Sequence, residues 1–179
     1  MIFLKEFLKD KKVASIASSS LSTVKKVCNK IDFSKKLVIV EYGPGTGVFT
    51  RYLLEKMNPE SKLILIETNK HFVSLLEKID DSRVIVFNDS AANIKEILEK
   101  CGEDNADYII SGIPFSYIDD GLKTDIIIKS REILSDNGKF LVYQVTNDIK
   151  KYLEQHFESL NTDFSLLNIP PLNIFEAVK

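Results

Sequence analysis

The residues with chemical potential fall in four polar clusters: Glu41-Tyr42-Gly43-Pro44-Gly45-Thr46-Gly47, Glu67-Thr68, Asp89-Ser90 and Ser111-Gly112-Ile113-Pro114-Phe115. Each follows a short apolar run. In the first cluster an acidic residue precedes glycines at 43, 45 and 47, a spacing that lets the backbone turn tightly and approach a ligand closely. Val48 stands where a G-x-G-x-x-G dinucleotide loop has its third glycine, and no G-x-x-x-x-G-K-[ST] phosphate loop occurs. A carboxylate just before the loop repels a pyrophosphate but suits an ammonium. The start of the following helix offers free N–H groups to a carboxylate. The pattern therefore asks for a ligand with an amino-acid end.

Glu67 lies 20 residues beyond Gly47, where a carboxylate accepts from both hydroxyls of a ribose. Asp89, with Ser90 beside it, is placed to accept from an adenine amino group, and Thr68 adjoins the same wall. Each has a plainer alternative: Glu67 as a solvated residue, Asp89 as the cap of a helix near Ala91. S-adenosylmethionine carries all the matching groups. Residues 111–115 follow the fourth apolar run, where its methyl group would be presented. In-line methyl transfer mainly requires alignment of a neutral lone pair, which a rigid Pro-aromatic turn suits. Ser111 would help position an amine and Phe115 would pack beside a cationic centre; the alternative for Phe115 is that it covers the core. Tyr117, Asp119 and Asp120 are candidates for the group that takes the amine proton. His71 and His156 fall on predicted helices away from the strand ends.

These clusters need a scaffold that brings strand ends together. Continuous runs at 37–40, 63–66, 84–87, 108–110 and 140–143 predict strands buried on both faces, as in a parallel sheet. Helical periods at about 48–57, 70–79, 91–100, 122–134 and 147–158 separate them, with Asn137-Gly138 as the turn before the fifth strand. Residues 163–168 and 172–178 read as an antiparallel hairpin around Pro170-Pro171 at one sheet edge. The expectation is an α/β Rossmann-like fold: a seven-stranded, mostly parallel sheet with an antiparallel last strand and helices on both faces. In such a sheet ligands bind beyond the carboxyl ends of the strands.

Composition is that of a globular protein: 179 residues, 44% hydrophobic, 28% charged and a formal charge of -2. Residues 1–33 differ, with seven Lys against three acidic residues, a local excess of four positive charges. Apolar Ile2, Phe3, Leu4, Phe7 and Leu8 interleaved with charges predict an amphipathic helix that packs on the domain or meets a membrane through residues 1–12. The chain reads as a helical cap (1–33) on a cofactor-binding domain (34–179), compact overall. Cys28 and Cys101 have no metal-ligand spacing and read as reduced thiols, with no metal expected. No apolar run reaches the roughly 20 residues of a membrane span, so a cytoplasmic protein at the inner face of a membrane is expected.

On these residues the chain resembles class I S-adenosylmethionine-dependent methyltransferases over nearly its whole length. The resemblance implies Glu41 through Gly47 for the methionine moiety, Glu67 for the ribose and Asp89 for the adenine. Within that class two related groups compete. Enzymes that dimethylate ribosomal RNA adenine have Asn where Ser111 stands. Bacterial phospholipid N-methyltransferases have a Ser-Gly-Leu-Pro motif similar to Ser111-Gly112-Ile113-Pro114. Residues 3–20 (FLKEFLKDKKVASIASSS), Tyr143-Gln144-Val145-Thr146 and Asn168-Ile169-Pro170-Pro171 resemble the latter group. Departures are Ala17-Ser18-Ser19-Ser20 for Ala-Pro-Ser-Ser, and few arginines (51, 83 and 131) for gripping a phosphate. The resemblance implies successive methylation of the amino headgroup of phosphatidylethanolamine. RNA is the weaker reading, since no basic field surrounds the chain. A small-amine acceptor and a non-catalytic protein of the same fold complete the alternatives.

Overall fold

The computed structural model describes residues 21–179, so the expected amphipathic helix and membrane contact of residues 1–12 lie outside the described residues. The five apolar runs form parallel strands β1 (Val38–Tyr42), β2 (Lys62–Ile66), β3 (Val84–Phe87), β4 (Ala106–Ser111) and β5 (Leu134–Gln144). Two more, β6 (Ser159–Ser165) and β7 (Leu172–Val178), complete a seven-stranded sheet of order β3-β2-β1-β4-β5-β7-β6. β7 lies between β5 and β6 and is antiparallel to both. From β1 the chain winds outward to β2 and β3, then returns to β4 on the other side of β1. That reversal opens a crevice at the carboxyl ends of β1 and β4, where the glycine loop and the 111–115 loop emerge.

Successive residues of each strand face opposite layers. Val40, Tyr42, Ile64, Ile66, Ile109 and Val142 pack against α4 (Ile94–Lys100), α5 (Asp120–Ile133) and α6 (Lys150–His156). Ile39, Leu63, Leu65, Ile110 and Leu141 pack against α1 (Leu21–Cys28) and α2 (Val48–Lys56), with Leu76 of α3 (Lys70–Leu76). Each fully buried aliphatic side chain contributes about 1.5–3 kcal/mol, which makes the two-sided sheet a stiff base for the loops at its edge. Cys28 sits in the second layer, where burial and the Glu41 carboxylate push its thiol up to about 12.

Four elements differ in their boundaries from the sequence expectation. β5 begins at Leu134, but its pairing with β4 jumps from Leu134 to Lys139, so Asn137 (φ 61°) and Gly138 still turn the chain inside a bulge. β6 spans Ser159–Ser165 in place of 163–168, because its partners on β7 run out at the Ser165–Leu172 pair. Leu166 and Leu167, apolar enough to read as strand, therefore lie in the connection. α3 and α6 are shorter than their apolar periods, ending at Leu76 and His156.

Candidate active site

The sheet continues its ladder one bond past the strand ends: Gly43 N–H donates to Ile66 O (2.9 Å), Glu67 N–H to Phe87 O (3.0 Å) and Gly112 N–H to Tyr42 O (3.0 Å). The loops thus leave the sheet in fixed register. Gly43, Gly45 and Gly47 have φ of 65°, 57° and 78°, the left-handed region that side chains disfavour. Gly47 caps α2 without a side chain, so the first N–H groups of that helix face outward for an anionic ligand group.

A cavity of about 220 Å³ lies over these ends. Its polar lining comes from Glu67, Thr68, Asn69, Asp89 and Ser90, and its apolar lining includes Ile66, Phe72, Ala91 and Ile126. Ile113, Pro114, Tyr117 and Leu122 complete the lining. Glu67 accepts from Gly45 N–H (3.1 Å) on one oxygen and from Asn69 N–H (2.8 Å) on the other. Each oxygen keeps a further lone pair for a hydroxyl. Burial raises the Glu67 carboxyl above the usual range, against the lowering by those backbone bonds. Asp89 accepts from Ser90 N–H and Asn93 Nδ2, both 2.7 Å, while the Ser90 hydroxyl caps the short turn Ala91–Asn93.

Several expected site residues are placed differently. Glu41 is 1% exposed and does not line the cavity; its side chain leaves β1 on the α2 face. One carboxylate oxygen accepts from Thr50 Oγ1 at 2.7 Å, and the other is buried without a partner. Burial pushes its acidity to about 8, with the Glu67 charge adding to the rise. A cation within reach would relieve both. Tyr42, next on the strand, faces the opposite layer, where its hydroxyl meets Ser130 Oγ (3.0 Å), so only its backbone can serve the site. Pro44 is buried, and Thr46 faces a separate depression with Arg51, whose guanidinium donates to Thr46 O.

The acceptor loop is corrected in the same way. Phe115 is fully buried in the α4–α6 layer and cannot meet an acceptor; the exposed aromatic is Tyr117. Ser111 is buried, lines neither cavity, and its hydroxyl accepts from Ile113 N–H (3.2 Å), which shapes the loop. Gly112 lies against Tyr143: a Cβ there would stand 2.5 Å from the phenol oxygen. Asp119 caps α5 and Asp120 pairs with Lys123, which takes both from the site. A second cavity, also about 220 Å³, adjoins the first through Pro114 and Tyr117 and is walled by Ser116, Gln144, Thr146 and Pro170. Gln144 was legible only through a resemblance. Its Oε1 accepts from Phe115 N–H (3.3 Å) and its Nε2 donates to Thr146 and Asp148, which pins the loop to β5. Among the described residues, neither cavity is lined by Lys or Arg, and no cluster of three or more metal-ligating side chains occurs.

Residues 4–130 match the ribosomal RNA adenine dimethylase family. The chain belongs to that family. It is an S-adenosylmethionine-dependent methyltransferase. It is 25% identical over 178 residues to the ornithine lipid N-methyltransferase of Singulisphaera acidiphila, covering 97% of this chain and 93% of that one. It is 28% identical to the ribosomal RNA small subunit methyltransferase A of Mycoplasma capricolum, over 64% of this chain and 41% of that one. In fold the methyltransferase is similar to the precorrin-6y C5,15-methyltransferase of Geobacter metallireducens, with a TM-score of 0.70, 18% identity and coverage of 89% and 88%. The Burkholderia thailandensis 1,6-didemethyltoxoflavin-N1-methyltransferase, solved with S-adenosylhomocysteine, gives a TM-score of 0.71 at 11% identity, covering 99% and 85%. The residues present fit the methyl donor: an unpartnered buried carboxylate oxygen at Glu41 for its ammonium, and an acid-flanked apolar slot for its adenosine.

Proposed function

We propose that this methyltransferase acts on the primary amine of a lipid headgroup, with phosphatidylethanolamine and an ornithine-bearing lipid as the acceptors to be tested. The observation that carries this concerns the acceptor side. Gln144, Thr146 and Pro170 wall the second cavity and lie beyond residues 4–130, the part matched by the family. Similarity to the ornithine lipid enzyme extends over 97% of the chain. Among the described residues, the linings present neutral and acidic side chains, which suit an amine better than a polynucleotide, whose phosphates require neutralisation. An RNA adenine is the second reading, favoured by the family match.

S-adenosylmethionine, when bound, supplies a methyl group on a sulfonium. Glu41 would hold its ammonium from beneath the glycine loop, the α2 start its carboxylate, Glu67 its ribose and Asp89 its adenine. Ser111, Gly112 and Gln144 fix the loop that separates the two cavities. An amine entering from the Pro170 side meets Pro114 and Tyr117, the two residues that line both cavities. Tyr117, 52% exposed, would accept a hydrogen bond from the amine and so orient its lone pair. The lipid ammonium must first give one proton to bulk water, since an ammonium has no lone pair. The test is the product mass after incubation with adenosylmethionine and phosphatidylethanolamine vesicles, ornithine lipid or ribosomal RNA. Methylated lipid is expected; transfer to RNA alone refutes the reading.

A further inference from the structure

The connection from β6 to β7 has an inverted polarity. Leu166, Leu167 and Ile169 are 73%, 74% and 90% exposed, whereas Asn168 between them is buried. Turns ordinarily turn polar residues outward, and three aliphatic side chains held in water on one short loop cost free energy unless something covers them. The arrangement is built: Asn168 Nδ2 donates to Pro170 O (3.1 Å) and its Oδ1 accepts from Thr23 Oγ1 (3.4 Å). Thr23 Oγ1 also shares a 2.7 Å hydrogen bond with Ser165 Oγ. The inward polar anchor holds the aliphatic side chains outward.

Two neighbours indicate what covers them. Pro170, next along the loop, is a wall of the acceptor cavity, with Tyr117 and Val145 also exposed on that rim. Thr23 ties the loop to the start of α1, where Leu21 is exposed. Residues 1–20 join the fold at that point, with Lys5, Lys9, Lys11 and Lys12 against Glu6 and Asp10. The exposed aliphatic side chains, together with the net positive charge of the sequence that precedes Leu21, complement a bilayer that carries anionic lipid.

We propose that Leu166, Leu167 and Ile169 insert into the acyl region of an anionic bilayer and seat the acceptor cavity on its headgroup layer. This rests on the lipid reading above. Insertion would place Pro170 at headgroup depth, so a lipid amine reaches Tyr117 without leaving the membrane. The chain would then not have to extract a whole lipid into a cavity of about 220 Å³.

The full chain and its L166Q/L167Q/I169Q variant test the proposal through vesicle flotation and methyl transfer. Flotation uses phosphatidylcholine vesicles with phosphatidylglycerol. Transfer is measured to amine lipid in those vesicles and to water-soluble short-chain phosphatidylethanolamine and ornithine lipid. Burial of three aliphatic side chains predicts a fall in vesicle partitioning of about a thousandfold or more in the variant. Vesicle turnover should fall with it, while turnover of the short-chain lipid and thermal stability stay as in the wild type. Undiminished flotation of the variant overturns the proposal, as does a wild-type dimer that the substitutions dissociate without changing flotation. If the wild type floats but methylates no lipid in either form, the lipid function fails while the flotation still judges the loop.

Discussion

Substitution of Glu41 by Gln separates its electrostatic role from its packing. Glu41 is buried with one oxygen unpartnered, and its carboxyl is raised from 4.5 to about 8. A carboxyl raised on folding favours the folded state in its protonated form. Its contribution is present in full below pH 4.5 and is lost as pH rises through about 8. At about 1.4 kcal/mol per pH unit, the loss across that window reaches at most about 5 kcal/mol. Near pH 5 the protonated carboxyl and the amide are close equivalents, each leaving one polar atom unpartnered, so the two proteins should agree to about 1 kcal/mol. At pH 8.5 the Glu41→Gln protein should be the more stable by several kcal/mol. Urea unfolding across this range reads the difference directly. Glu67, also raised by burial, leaves a shallower slope of the same sign in both proteins. Saturation with adenosylhomocysteine should flatten the wild-type slope, because its ammonium supplies the missing charge partner, and should leave the variant's slope nearly unchanged. Parallel pH profiles for the two proteins refute the burial argument. A wild-type slope that ignores the ligand refutes the ammonium assignment.

The remaining predictions concern the two cavities. Glu67→Ala should weaken adenosylhomocysteine binding about ten- to a hundredfold by calorimetry, the loss of hydrogen bonds to a charged group, with Glu67→Gln intermediate. Gly112→Ala drives a methyl group against Tyr143 (2.5 Å); overpacking of about 1–3 kcal/mol should lower Tm by roughly 2–12 °C. Adding Tyr143→Phe should recover only part of that loss, because the ring carbon stands 2.9 Å away as well. Tyr117→Phe keeps the ring and removes the hydroxyl, so kcat for the amine should fall about tenfold or more, with adenosylhomocysteine affinity nearly unchanged. An equal loss in both would place Tyr117 on the donor side instead.

The strand segments, the glycine loop and the acids at or just after the ends of β1, β2 and β3 were legible from the sequence, because they rest on local causes. Continuous β-branched runs make buried strands wherever they lie, and glycines at 43, 45 and 47 permit backbone conformations that other residues resist. The terminal antiparallel pair was legible too, from the lack of a helix between its strands. Which side chains face the ligand was not. Tyr42 and Phe115 fall in segments that the sequence assigns to a ligand site, but their side chains belong to the core, since the pleat of β1 and the turn after β4 aim them into the α4–α6 layer. Glu41 lies on the other side of the same strand, one residue away, for the same reason.

The β6 boundary shows the same limit. Leu166 and Leu167 have strand-forming composition, yet a strand ends where its partner does, and β7 offers no residue before Leu172 for them to pair with. Local pattern determined which segments are strands and which loops carry the chemistry. Register and long-range contacts decided the rest: Gln144 pinning Phe115, Thr23 anchoring Asn168, and three aliphatic side chains left facing outward beside the acceptor cavity.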